Sequence, residues 1–313
     1  MSDRTPLAIR PALTHLTQAA AGRDRVARLV LCAALAGGHV LLDDLPGTGK
    51  TTLAKTLGDS LGLAFRRLQC TSDLLPSDIV GVNVYQRDEG RFAFHPGPIF
   101  TNVLLCDELN RCPPRTQSAL LEGMAEQQVT VDGQTLPLPT PFLVIATQNP
   151  VDGQSTLALP DAQWDRFMFH LTMGRLAPAA EKALLVQPNW GRPVALTPAD
   201  RPVADPVAFA ALAAHSQTPQ VQPPLVDYVF GLIEASRLAF AERGGLSTRA
   251  GQAIMRAARA WAWLDGRPHV TPEDVQAVFV PAAIHRLVSS DQLQVAAERE
   301  RVEALLTQVQ VTL

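Results

Sequence analysis

Lysine is nearly absent from this 313-residue chain: Lys50, Lys55 and Lys182 are its lysines, and arginine supplies the remaining basic charge. With a net charge of −3, nothing in the composition pulls generally toward nucleic acid. No run approaches the roughly 18 consecutive apolar residues of a membrane span. The first residues carry Asp3 and Arg4 and no apolar stretch, so no secretory signal is expected, and a cytoplasmic protein is. The four cysteines, Cys32, Cys70, Cys106 and Cys112, lack C-x-x-C spacing and read as buried, reduced thiols. The seven histidines make no metal constellation, and neither a Ser-His-Asp arrangement nor a base-specific DNA module is visible.

Against that background Lys50 is conspicuous. It closes LLDDLPGTGK, which reads as an apolar strand entering a glycine-bearing loop, and it opens a helix with Thr51 and Thr52. Gly47 and Gly49 can take positive φ and turn backbone N–H groups inward, and the helix N-terminus adds its positive dipole end. Pro46, Gly47, Thr48, Gly49, Lys50, Thr51 and Thr52 therefore read as a phosphate cradle. Lys50 would reach the β- and γ-phosphates, and Thr51 would offer its hydroxyl to Mg²⁺. The strict Walker pattern has glycine where this chain has Asp44.

Short apolar runs at 39–43, 65–70, 102–107, 142–147 and 167–173 alternate with helical segments, the pattern of a doubly wound parallel sheet. Helical spacing also covers 11–36, with a break at Ala21-Gly22-Arg23. Residues 82–94 and 127–138 alternate with period two around Asp88-Glu89-Gly90 and Asp132-Gly133, which predicts two hairpins, the second with a type I′ turn. Proline is frequent from 187 to 206 and periodicity is lost, marking a linker. Beyond it the pattern is helical, and Thr271-Pro272-Glu273-Asp274 is a helix start. The expected division is an α/β core at 1–188, a linker at 189–202 and a small all-α domain at 203–313.

In an open α/β sheet, ligands bind beyond the carboxyl ends of the strands. Three signals fall there: the glycine loop, Asp107-Glu108 and Asn149. Asp107 is suited to hold Mg²⁺ through water and Glu108 to orient or deprotonate an attacking water. Asn149, after FLVIATQ, could bond that water or the γ-phosphate; its plainer reading is a turn residue before Pro150. Arg166, between Trp164 and Phe167, reads either as a partner of Asp165 or as an arginine finger acting on a neighbouring subunit. Arg249 stands in the first turn of a helix, where a cation is disfavoured, so it is a candidate phosphate ligand. Through it, bound nucleotide is expected to draw the helical region toward the core. Arg256 and Arg259 read as a solvated face.

Together these motifs resemble the MoxR family of AAA+ ATPases over nearly the whole chain. The resemblance rests on GGHVLLDDLPGTGKTTLAK, FRRLQCTSDLLPSDIVGVNVY, FHPGPIFTNVLLCDELNRCPPRTQSALLEGMAEQQVTVDG, PFLVIATQNP, LPDAQWDRF, LSTRAGQAIMRAARAWA and VTPEDVQAV. It implies an AAA+ P-loop core with a helical lid, with ATP and Mg²⁺ as cofactors. Lys50 and Thr51 then belong to Walker A, Asp107 and Glu108 to Walker B, Asn149 to sensor 1, Arg166 to the arginine finger and Arg249 to sensor 2. The hairpins match the helix-2 insert and the pre-sensor-1 hairpin. The family implies a homo-oligomeric ring, commonly a hexamer, chaperone-like remodelling or maturation of a protein client, and often a von Willebrand factor A-domain partner. Departures are Gly22-Arg23, where the family often has Gly-Gln, and VDGQSTLAL after ATQNP.

Three rivals fit less well. A GTPase would need a guanine motif Asn-Lys-x-Asp, which is absent, and Asp78-Ile79-Val80-Gly81 does not close an apolar strand. A helicase-like motor would need basic hairpins, whereas 127–138 has no lysine or arginine and 82–94 mixes Arg87 and Arg91 with Asp88 and Glu89. A nucleotide-binding scaffold without turnover would not need Glu108, Asn149 and Arg166.

Overall fold

In the computed structural model the described residues are 4–43, 47–148, 161–176, 178–186, 202–288 and 292–310. Helices α1 (Arg10–Ala19) and α2 (Asp24–Leu35) precede β1 (His39–Asp43). Then follow α3 (Lys50–Ser60), β2 (Phe65–Gln69), the short α4 (Pro76–Val80) and a hairpin of β3 (Gly81–Gln86) and β4 (Arg91–Pro96). Strand β5 (Val103–Asp107) leads through a 3-10 turn into α5 (Pro114–Glu126). A second hairpin, β6 (Gln128–Val131) and β7 (Gln134–Pro137), precedes β8 (Leu143–Gln148). After α6 (Asp161–Trp164), β9 (Phe167–Thr172) and α7 (Pro178–Leu185), the rest is helical. It comprises α8 (Pro206–Ser216), α9 (Pro223–Ala239), α10 (Thr248–Leu264), α11 (Pro272–Leu287) and α12 (Gln292–Gln308).

Five strands form one sheet in the order β2-β5-β8-β1-β9, every neighbouring pair parallel. The five expected strands are all present, within a residue of their expected bounds. Every residue of β1 and β5 is buried, as their unbroken apolar runs require. At the β2 edge, FRRLQ exposes Arg66, Arg67 and Gln69, polar side chains that blunt an open edge. Both hairpins form as two-stranded sheets. Asp132 and Gly133 have φ of 49° and 80°, the paired positive values of a type I′ turn.

His39 ties three elements together at the start of β1. Its Nδ1 accepts from the Val144 N–H at 3.0 Å, which leaves the proton on Nε2 to be donated to the Met124 carbonyl at 3.1 Å. Beside it, a Cβ on Gly38 would lie 2.5 Å from the Met168 side chain, so only glycine lets β9 approach this closely. The β1–β9 register shifts here, between His39 and Val40.

The helical region shares its core with the α/β part. One apolar cluster runs from α1, α2 and α3 through a face of the sheet into α8, α9, α10 and α11. Across it the Cys32 thiol meets the Ala257 carbonyl at 3.3 Å, and Arg28 pairs with Asp265 at 2.6 Å. Ser247 caps α10, accepting from the Ala250 N–H at 3.1 Å. At the start of α11 the Asp274 carboxylate accepts from the Thr271 N–H at 2.8 Å and from Arg267 at 2.6 Å. The proposed linker falls largely on 187–201, outside the described residues; just past it the Val203 N–H is bonded to the Ser60 carbonyl at 3.2 Å.

Burial lowers the pKa of His39 to about 4, against an ordinary value of 6.5, and His285 is also held well below 6.5, chiefly by burial. Between those values the unfolded chain binds the proton that folded His39 refuses. The stability that a neutral His39 confers is therefore fully present above about pH 6.5 and is lost as pH falls toward 4, at most about 3 kcal/mol. Urea midpoints measured from pH 7.5 to 4.5 are expected to fall accordingly. His39→Gln, which does not titrate there, is expected to flatten the profile, and an unchanged slope would count against this role.

Candidate functional site

Because the strands run one way and pair in register, the chemistry-bearing residues sort to two opposite edges. Asp43 pairs with Gln148, Cys106 with Ala146 and Gln69 with Asp107, so the carboxyl ends of β1, β8, β5 and β2 align. The glycine loop leaves β1, the acids leave β5, and β8 lies between. At about 4.8 Å per strand, the cradle and the acids stand roughly 10 Å apart, a gap that suits a polyphosphate and a cation.

On the cradle side Gly47 and Gly49 have φ of 80° and 93°, with open space where a Cβ would stand. Glycine is required there by backbone conformation, not by packing. Lys50, Thr51 and Thr52 form the first turn of α3. Pro46 lies outside the described residues, as does Asn149, which directly follows the end of β8. Arg23, unassigned by sequence reasoning, donates to the Thr48 carbonyl at 3.2 Å and to the Gly174 carbonyl at 2.9 Å. It ties the α1–α2 turn to the loop and to the end of β9. The available signals were the break in helical spacing at Ala21-Gly22-Arg23 and the departure of Gly22-Arg23 from the family's Gly-Gln.

On the acid side Asp107 is buried, accepting from the Thr147 hydroxyl at 3.2 Å and pairing with Arg67 at 2.5 Å. Glu108 adopts left-handed φ of 58°, an unusual conformation for a residue with a side chain. Its N–H donates to the Thr147 hydroxyl at 3.0 Å, and its carboxylate accepts from Gln69 at 3.1 Å and Arg111 at 2.8 Å. Two carboxylates near a threonine hydroxyl are hard oxygen donors of the kind Mg²⁺ prefers, and the glycine cradle fits a phosphate.

Arg166 and Arg249 stand elsewhere. Both line a cavity of about 160 Å³ with Gly37, Gly38, His39 and Arg256, at the amino ends of β1 and β9. A five-residue strand spans about 13 Å, so this cluster faces the opposite edge from Lys50. Arg249 is thus not beside its own chain's phosphate loop. The cause is that α10 packs against α2 and the sheet through Ala253, Ala257 and Ala258, which carries its first turn to that edge. Arg256, expected on a solvated face, is exposed and also borders this cavity, where partial burial and nearby Arg249 lower its pKa. Arg166 donates to the Leu121 carbonyl, while Asp165 pairs with Arg286 at 2.6 Å. The simple Asp165–Arg166 pair is not what forms.

Comparison with known proteins agrees with this architecture. The profile of the ATPase family associated with various cellular activities (AAA) matches residues 39–169, and that of the AAA lid domain matches 234–308. Fold and motifs thus define an AAA+ ATPase. The chain is 40% identical to the Bacillus subtilis protein YeaC, over 91% of this chain and 88% of that one. It is 37% identical to the chaperone MoxR1 of Mycobacterium tuberculosis, covering 85% and 72% of the two chains. A crystal structure of a candidate ATPase from Cytophaga hutchinsonii superposes with a TM-score of 0.83 at 33% identity, covering 98% and 95%. The chain belongs to the MoxR family of AAA+ ATPases.

The Arg67–Asp107 pair yields a test. Arg67 is about half exposed, so the pair is worth no more than about 1 kcal/mol. It still occupies an oxygen that a cation would use. Arg67→Gln is expected to lower the Mg²⁺ concentration for half-maximal ATP turnover about two- to fivefold. A higher Mg²⁺ requirement would mean that Arg67 supports the site instead of competing for it.

Proposed function

We propose that this ATPase hydrolyses ATP at composite sites between neighbouring copies in a ring and uses the turnover to remodel a protein client. The observation that carries the reading is the separation just described. Cradle and acids sit on one edge of the sheet, and the arginine cavity sits on the other. In a head-to-tail ring, one copy's arginine edge faces the next copy's phosphate loop, and only a heterologous contact does this at every interface. Such a ring is commonly a hexamer in this family.

Within one site, Pro46 to Thr52 cradle the phosphates and Lys50 neutralises the β- and γ-oxygens. Thr51 and Asp107 would hold Mg²⁺, which supplies charge neutralisation on those oxygens when bound. Glu108 takes a proton from the water that attacks the γ-phosphorus, with Asn149 orienting that water. The bond from phosphorus to the β–γ bridging oxygen breaks, and ADP and phosphate leave. Arg166 and Arg249 of the next copy offset the charge that develops.

The hairpins support a protein client over nucleic acid. On the β3–β4 hairpin the Tyr85 and Phe92 rings meet at a tilt, centroids 5.2 Å apart, while remaining 52% and 67% exposed, and Val82 and Val84 are exposed as well. An apolar surface of this kind suits a polypeptide. The β6–β7 hairpin, without lysine or arginine, is joined to it by Asn83 and Asp132 at 2.7 Å. A client, or a von Willebrand factor A-domain partner, would meet this surface from a cytoplasmic ring. Among the described residues no helix is long and apolar enough to cross a membrane.

Lys50→Ala is expected to weaken ATP binding and abolish turnover, read by calorimetry and phosphate release. Glu108→Gln is expected to bind ATP and hydrolyse it at least about 10²-fold more slowly. Arg166→Ala is also expected to bind and not turn over. Mixing Glu108→Gln with Arg166→Ala creates interfaces with an intact Glu108 facing an intact Arg166. Turnover should then return in proportion to the mixing ratio. Mixed rings that stay inactive would remove the composite-site reading, and so would full activity of Arg166→Ala alone.

A further inference from the structure

Arg166 lies in the turn between α6 and β9, where a loop arginine has many conformations open to it. The main chain on both sides of it is instead gripped by one side chain of the helical region. Arg286, near the end of α11, keeps only 6% of its side chain exposed. Its Nε donates to Asp165 Oδ1 at 2.6 Å. Its Nη2 donates to the Asp165 carbonyl at 3.1 Å and the Phe167 carbonyl at 2.8 Å, and Nη1 to the Ala282 carbonyl. The residues immediately before and after Arg166 are thus held by the same guanidinium. His285 adds a second bond to the Phe167 carbonyl at 3.0 Å, and the Arg166 N–H donates to the Gln163 carbonyl at 3.3 Å.

Packing alone gives no reason for this choice. Burying a guanidinium carries a desolvation cost of several kcal/mol that its partners only offset, and an apolar side chain would join α11 to β9 more cheaply. What an arginine adds is geometry. Its planar fork meets three acceptors of the turn and one of its own helix at fixed angles, so the turn it grips has one orientation. The β1–β9 register shift falls next to this turn, and such irregularities re-aim side chains near functional sites.

We propose that Arg286 is a positioning residue: through Asp165 and Phe167 it fixes the turn that presents Arg166 to a neighbouring copy's nucleotide, and so makes hydrolysis in one subunit depend on the helical region of the next. The inference rests on the composite-site reading. Misplacing a charge-stabilising group by about an ångström can cost up to about 10²-fold in rate.

The test uses the full chain under ring-forming conditions. Arg286→Lys keeps the charge and loses the fork; Asp165→Asn approaches the contact from the loop side and serves if Arg286→Lys folds poorly. Each is expected to lower kcat about tenfold without changing ATP affinity, and to add no further loss in an Arg166→Ala background. In mixing experiments each should regain activity with Glu108→Gln copies and none with Arg166→Ala copies. Unchanged kcat, an undiminished loss in the Arg166→Ala background, or recovery with Arg166→Ala copies would each overturn the proposal. Those results would leave the composite site standing. Full activity of Arg166→Ala itself would instead remove the composite site, and this inference with it.

Discussion

The constraint on which everything else depends is the single direction of the five strands. A parallel sheet has unlike ends, and each strand here delivers its last residue to the same edge. Asp43, Asp107 and Gln148 reach that edge because their strands are five or six residues long and paired in register. The opposite edge receives the turns that enter β1 and β9, and with them Arg166. An antiparallel sheet of the same strands would have mixed the two sets.

That sorting is backed by packing that leaves little slack. Every residue of β1 is buried, and its first residue bonds to β8 and α5 through both ring nitrogens. Arg23 fastens the phosphate loop to the segment just past the carboxyl end of β9, and Thr147 joins the side chain of Asp107 to the backbone of Glu108. Neither contact lies near its partner in sequence. The acids and the loop are thus held by the sheet and by residues brought in from the first helices.

Local chemistry was readable from sequence, and long-range placement was not. Glycines leading into a lysine, an apolar run ending in Asp-Glu and an Asp-Gly between alternating residues each state their own conformation, and the strands and both hairpins formed as those patterns require. Arg249 shows the limit. Its place in a first helical turn was plain, but which edge that turn reaches depends on how α10 packs its alanines against α2. Arg256 lies on the exposed face that amphipathic spacing predicts, but that spacing did not say which cavity the face borders. Arg286 gave no signal, because an arginine late in a helix resembles an ordinary dipole complement.

The arginine cavity has an electrostatic consequence for a copy on its own. Arg166, Arg249, Arg256 and Arg286 line it, and among its described lining residues the one carboxylate, Asp165, is committed to Arg286. Burial first, and then the neighbouring charge of Arg249, hold the pKa of Arg256 below the ordinary arginine value. On the composite-site reading, a polyanion docked against this edge would offset its like charges. Nucleotide charge would then act as mortar between protomers, so that fuel and cohesion draw on the same few positive charges.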